Sequence, residues 1–476
     1  MKVFFKILII TGISILIPVI CFAQHWQAAG DSCYVSGGAT RLLTDTIHNR
    51  VYCSGNLIAP HCPGYTVGVP ASNCYGYSCW DGSTWISVGD SLPPENDHQP
   101  LCMYHDTLIS SYFYLSYAEQ YTGPDYIGKW TGSVWNRGLS DSTDGIVDKL
   151  KVINGRLYAA GYFGSIGNIN TINVAYKDSL GWHAIDTTTW NPNYGLVDVE
   201  EYNGGIYICG NFQSRDGTIS RLAKWNGTHW SNVGGTMFNQ SMDGAEALCK
   251  YNGYLYVGGY FSPSMGDPGN SIARWNDTIW EPLGTGLVDS FSNPGQVQDM
   301  KVINGKLVIS GGFSFANGIP AVAIVEWDGS RFCSFGGNFD NSIANVAGFG
   351  NEIMITGPAH IYDTYAGDTI YTCNPARWVG GSYRESCSEA LGVKQVFINT
   401  GQLNIYPNPN NGSFVIETNG NAKQSIQVFD VNGKLVLTQS VNGRTNVDAS
   451  SLTEGVYNVS IISNEGVVNK RLVIVR

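Results

Sequence analysis

The chain has 476 residues, 14% charged and 43% hydrophobic, with 58 Gly, 27 Tyr and 13 Trp, a balance that suits an all-β globule of short strands and tight turns. Length alone would suggest about three domains at ~150 residues each, but ring-closed β folds run larger as one unit. The net charge of −11 speaks against a nucleic-acid partner, whose phosphate backbone demands basic surface.

Residues 1–23 are expected to be a secretory signal peptide. Lys2 and Lys6 give a basic start, Ile7 to Ile20 an apolar stretch, and Cys21-Phe22-Ala23 a small exit before Gln24. A transmembrane anchor is the alternative, but the apolar run is shorter than the ~20 residues a span needs and Pro18 sits near its end. Ile20 before Cys21 makes a poor lipoprotein box. No transmembrane anchor is expected in the mature chain.

From residue 24 to 385 a Trp-turn-aromatic unit recurs about every fifty residues. Trp80, Trp130, Trp225, Trp275, Trp327 and Trp378 mark it, with Tyr176 in the third place. In the fifth copy Asn252-Gly253 is a hairpin turn, because a type I′ turn needs positive φ at both central positions. Alternation in Tyr254-Leu255-Tyr256-Val257 reads as a strand with one buried face, and Trp275 to Trp280 makes a second hairpin. Each copy thus supplies strands a and b, a long link, then strands c and d. The first hairpin recurs at His48-Asn49, His105-Asp106, Asn154-Gly155, Asn203-Gly204, Asn304-Gly305 and Gly350-Asn351. Seven phased copies predict a seven-bladed β-propeller.

The seventh copy lacks a second aromatic strand after Trp378, whereas His25-Trp26-Gln27-Ala28-Ala29-Gly30 looks like Trp280-Glu281-Pro282-Leu283-Gly284. The N-terminal strand is therefore expected to close the last blade, removing edges that invite aggregation. On these residues the chain resembles kelch-type propellers. Gly258-Gly259 and Gly311-Gly312 end strand b, and an aromatic pair leads into Leu283-Gly284. It departs from the kelch pattern where a copy has a single Gly, and where Trp replaces the usual first Tyr.

Short a–b and c–d turns must emerge at one end of every blade. The long links emerge at the other, over 56–79, 86–100, 111–127, 184–197 and 284–297. Loops on a rigid frame are where binding concentrates, so any ligand is expected on that face. Tyr112, Tyr114, Tyr117, Tyr121 and Tyr126 crowd one link, and Trp190 is the one Trp of the mature chain outside the repeat positions. Aromatics with polar tips suit protein or glycan contacts; the alternative is that these rings cover the end of the core.

Catalytic signals are weak. No HExxH, GxSxG, P-loop or EF-hand loop occurs. Trp80-Asp81-Gly82-Ser83-Thr84-Trp85 is hairpin chemistry, since its counterparts replace the Asp freely. Asp141, Asp144, Asp148, Asp198, Glu200, Glu201 and Glu246 lie near strand a of several copies. A propeller glycosidase or lyase would need two facing carboxylates from different blades, and solvated loop acids are the plainer reading. The expected function is non-enzymatic binding or adhesion, with a carbohydrate-active hydrolase or lyase as the alternative. No catalytic residue, metal ligand or cofactor is assigned.

Eleven cysteines follow the expected leader, and export favours their pairing. Cys62, Cys74 and Cys79 share one link beside His61, where a disulfide is preferred to zinc because the spacing matches no CxxC pair. Cys373 and Cys387 are expected to pair at the exit of the repeats. Cys209 and Cys249 fall within predicted strands and read as small buried residues.

Residues 386–402 read as a linker. Then follow Tyr406-Pro407-Asn408-Pro409-Asn410-Asn411-Gly412, Phe429-Asp430-Val431-Asn432-Gly433-Lys434, Leu452-Thr453-Glu454-Gly455-Val456-Tyr457 and a basic final strand from Lys470 to Arg476. Alternating strands with Asn-Gly turns predict a small antiparallel β-sandwich over 403–476. These elements, in this order, resemble the C-terminal sorting domain of type IX secretion (Por) cargo. The resemblance implies the type IX secretion machinery as partner of 403–476, with the protein released or held at the outer surface of a Bacteroidetes-like bacterium. An ordinary terminal binding sandwich is the alternative.

Overall fold

The computed structural model describes residues 26–30, 39–55, 76–89, 99–113, 125–191, 195–234, 244–358, 360–363, 368–372, 375–382, 384–390, 403–418, 424–430, 435–463 and 466–476. The expected leader, residues 391–402, and Cys62, Cys74, Cys373, Tyr114, Tyr117 and Tyr121 lie outside these residues. The chain divides into two compact units, Met1–Ala390 and Leu391–Arg476.

In the first unit local turn chemistry sets the strands. Asn252 and Gly253 take φ of 47° and 77°, the left-handed pair that a tight hairpin requires. The c–d turns are closed by a side chain: Asp81 Oδ1 accepts the backbone N–H groups of Ser83 (2.9 Å) and Thr84 (2.8 Å). Asn226, Asn276 and Asp328 do the same at their own turns.

Among the described residues seven sheets each contain an antiparallel a-b-c-d meander. Their a strands are Ala39–Asp45, Leu101–Tyr104, Ile146–Ile153, Gly195–Tyr202, Gly244–Tyr251, Gln296–Ile303 and Asn345–Phe349. Each a strand borders the next, and Asn345–Phe349 borders Ala39–Asp45 again, so the a strands form a closed circuit around an axis. In the last sheet the order is Asn345–Phe349, Glu352–Thr356, Ala376–Trp378 and then Trp26–Ala28. Trp26 pairs with Trp378, is fully buried, and meets the Trp378 and Phe339 rings edge-on at 5.3 and 5.4 Å.

One device ties neighbouring sheets at their rims. The indole N–H of a strand-d Trp donates to the carbonyl of the residue just after strand d of the preceding sheet. Trp135 reaches Val88 O at 3.0 Å, Trp280 reaches Val233 O at 3.2 Å, and Trp85 reaches Ala29 O at 2.6 Å. Each accepting residue precedes a glycine with positive φ, and the next sheet's Trp lies against that glycine. At Gly89 (φ 101°) an added Cβ would meet Trp135 at 2.8 Å. This is the physical reason for the recurring aliphatic-Gly step after the second aromatic.

The links add small ladders of their own. The d–a stretch Leu287–Val288 pairs with the hairpin Phe315–Ala316 and Ile319–Pro320, and Asn338–Phe339 pairs with His360–Asp363 and Asp368–Tyr371. Apolar clusters fill the spaces between neighbouring sheets, as where Tyr202, Tyr207 and Leu222 of the fourth meet Leu248, Val257 and Trp275 of the fifth.

The cysteine pairing differs from expectation. Cys387 bonds to Cys333, not to Cys373, because Ser386–Cys387 adds a further strand beside Phe332–Ser334 and brings the two Cα atoms to 4.0 Å. Cys79, expected in a disulfide, is a free buried thiol, as are Cys53, Cys102, Cys209 and Cys249. Cys79 lies opposite Tyr52, and Cys53 opposite Ser78, so the two are one residue out of register and face opposite sides of their sheet.

The second unit is a small sandwich. One sheet contains Leu403–Tyr406, Ser413–Thr418 and Arg444–Asp448; the other contains Leu435–Val441, Gln424–Phe429, Gly455–Ser463 and Gly466–Ile474. Phe414, Ile416 and Val447 of the first pack with Ile426, Val428, Val459 and Leu472 of the second.

Candidate functional site

An a strand has no neighbouring strand on its axial edge, so its N–H and C=O groups there need other partners. Charged side chains supply them. Four residues before the end of strand a stand Arg41, Lys149, Asp198, Asp299 and Asn345; two before the end stand Lys151, Glu200 and Lys301. A β-bulge just before Arg41, Lys149, Asp198 and Asp299 marks these four as equivalent positions.

Each acceptor reaches the next strand of the circuit. Asp198 Oδ2 accepts Leu248 N–H at 3.0 Å, Asp299 Oδ2 accepts Val346 N–H at 3.0 Å, and Asn345 Oδ1 accepts Leu42 N–H at 2.8 Å. Lys301 Nζ donates to the carbonyls of Leu42 (3.0 Å) and Val346 (2.6 Å) and to Asn345 Oδ1 (2.9 Å). Ion pairs overlay these bonds: Lys149 with Asp198 at 3.1 Å, Lys151 with Glu200 at 2.8 Å and Asp198 at 3.8 Å, and Lys301 with Asp299 at 3.1 Å.

Proton affinities follow from this packing. Burial works to raise the Asp198 pKa, but Lys149, Lys151 and two backbone N–H groups outweigh it and hold the carboxyl below the usual aspartate value. Burial works to lower Lys151, and the Asp198 and Glu200 carboxylates more than reverse it. Burial lowers Lys301 despite Asp299. Glu246, which accepts both of its bonds from Gln296 Nε2 (2.8 and 3.0 Å), is raised by burial, the bonds opposing in part. The arrangement cross-links neighbouring strands, and its aspartates are committed to lysines and backbone N–H groups.

A cavity of about 410 Å³ opens at the end of the a strands where the short turns emerge. Thr44, Asp45, Asn49, Arg50, Asn304 and Phe349 are among its walls. Among the described residues no group of three or more His, Cys, Asp or Glu could hold a metal ion.

The expected aromatic patch is placed only in part. Tyr112 pairs in register with Tyr126, and Tyr126 is half-buried against the cluster of Tyr52, Tyr77 and Leu108. Trp190 is not a contact residue. It is 1% exposed, edge-on to Phe212 (4.9 Å) and Trp230 (5.0 Å), because its link bridges to Ser214 and folds over the fourth sheet. Sequence reasoning noted Asp198, Glu200 and Glu246 but missed Lys149, Lys151 and Lys301. Aligning strand a of every copy on its turn would have found them.

Residues 404–475 match the family model of the secretion system C-terminal sorting domain, Por_Secre_tail. The protein is accordingly cargo of type IX secretion, destined for the cell surface or the extracellular space. Among the described residues no helix is long and apolar enough to cross a membrane. No curated protein matches the chain. Among solved structures, the extracellular domain assigned to a one component system of B. thetaiotaomicron is 10% identical, covering 95% of this chain and 59% of its own, with a TM-score of 0.41. The GH74 xyloglucanase of Xanthomonas campestris is 12% identical over 71% of this chain and 53% of that one, with a TM-score of 0.46. An exo-beta-1,3-galactanase of Phanerochaete chrysosporium is 11% identical over 82% and 91%, with a TM-score of 0.27. This chain thus spans 59% and 53% of the lengths of the first two.

Proposed function

We propose that the first unit is a seven-bladed, kelch-like propeller exported behind a signal peptide, and that it binds a protein or glycan through its long-link face without catalysis. The observation that carries the non-enzymatic reading is the state of the axial aspartates. Asp198 and Asp299 are each held by lysine and by a backbone N–H of the next strand, so neither is available to move a proton. Tyr112 and Tyr126, at the start and end of the aromatic link, support the choice of face. The second unit engages the type IX secretion machinery through residues 403–476.

A carbohydrate-active hydrolase or lyase is the second reading, and Glu246 favours it, being a half-buried carboxyl whose pKa burial raises. Incubation of the full chain with immobilised glycans and with soluble polysaccharides separates the two. Retention without product release supports binding. Product release that disappears in Glu246→Gln would establish the enzyme.

A further inference from the structure

At these two strand positions stand three carboxylates, Asp198, Glu200 and Asp299, and four cations, Arg41, Lys149, Lys151 and Lys301, with Asp148 and Glu246 at the bulges beside them. Lys301 takes Asp299, Lys151 takes Glu200, and Lys149 shares Asp198 with Lys151. Arg41 is left over. It is half-buried, and no carboxylate, carbonyl or amide of the described residues accepts from its guanidinium. Its place is nevertheless fixed, because the adjoining Leu42 has its N–H held by Asn345 and its C=O held by Lys301.

Arg41 is thus a half-buried cation with unused donors, in a ring where Lys149, Lys151 and Lys301 each have a carboxylate. We infer that the axis is a binding site for an oxyanion group, a carboxylate or sulfate carried by a ligand, seated on the Arg41 guanidinium and flanked by Lys149. The guanidinium fork offers parallel donors that match two oxygens of such a group, which a lysine cannot do. Burial holds the Lys301 pKa down and Asp299 opposes it, with Lys149 and then Arg41 adding to the lowering, as expected of cations within electrostatic reach of one another. The site is made of a strands and does not depend on what the long-link face binds.

Calorimetric titration of the full chain with sodium sulfate and with sodium glucuronate, at constant ionic strength in chloride, tests this. Saturable binding of at least one salt is expected, weakened tenfold or more in Arg41→Met, less in Lys149→Met, and only partly restored in Arg41→Lys, which keeps the charge but not the fork. Sulfate alone binding would assign a sulfate ester, and glucuronate alone a carboxylate. Absence of saturable binding of either salt to the unaltered chain overturns the inference, whatever the variants do. Binding unchanged in a folded Arg41→Met also overturns it.

Discussion

The indole N–H of Trp26 donates to the backbone carbonyl of Gly336 at 3.0 Å, across 310 residues of chain. It is the same bond that Trp135 makes to Val88 and Trp280 to Val233 between consecutive sheets. The first described strand therefore occupies, in the last sheet, the place that strand d holds in the others. Its glycine is in place too: a Cβ on Gly337 would lie 3.1 Å from the Trp26 indole nitrogen.

The glycine after each accepting carbonyl should resist substitution. Gly89→Ala forces a side chain into a left-handed backbone and against Trp135. It should cost roughly 2–4 kcal/mol, read as a lowered midpoint in denaturant. Gly132→Ala also has positive φ but meets nothing nearby, and should cost about 1 kcal/mol. Equal losses at the two sites would remove the role given to the Trp contact.

The axial ion pairs predict acid sensitivity. Asp198 titrates below the usual aspartate value, so its contribution is full above that value and is lost as pH falls through the lowered one. Asp198→Asn should destabilise by about 3–5 kcal/mol at neutral pH, since it leaves Lys149 without its carboxylate while Lys151 keeps Glu200. A loss that does not shrink on acidification would contradict the assignment.

Glu246 carries the opposite sign. Its raised pKa means that its contribution is full below the ordinary glutamate value and is lost as pH rises through the raised one. Glu246→Gln should therefore raise the Tm by roughly 1–3 °C at neutral pH. At about pH 4 the gain should vanish. The same gain at both pH values would show that the effect is not protonation.

Cys333–Cys387 closes a loop of separation 54 and holds the chain exit against the sixth sheet. Cys387→Ser should cost about 2–4 kcal/mol of stability. Reductant should lower the Tm of the unaltered protein towards that of the variant and leave the variant unmoved. The reverse pattern would place the stabilising disulfide elsewhere.

Hairpins were the most legible part of this chain, because Asn252-Gly253 and its equivalents answer a backbone demand that few residues meet. Trp26 was legible as well, since its segment repeats the Trp280 segment. The axial site was not, because Lys149, Asp198 and Asp299 share one strand position while differing in sign, so no composition bias flags them. Trp190 misled because a ring in a link has no sequence mark separating a contact surface from a lid over Phe212 and Trp230. The partner of Cys387 depended on a strand of two residues, too short to leave a pattern.

Closure of the circuit by the N-terminal segment is the claim on which the account turns, and amide hydrogen exchange tests it most directly. Residues 26–28 and 376–378 should be protected together, as a paired strand d and strand c, and Trp26→Ala should deprotect both while costing about 3–5 kcal/mol. Rapid exchange over 26–28 in the unaltered protein, with 376–378 still protected and unmoved by Trp26→Ala, would contradict it.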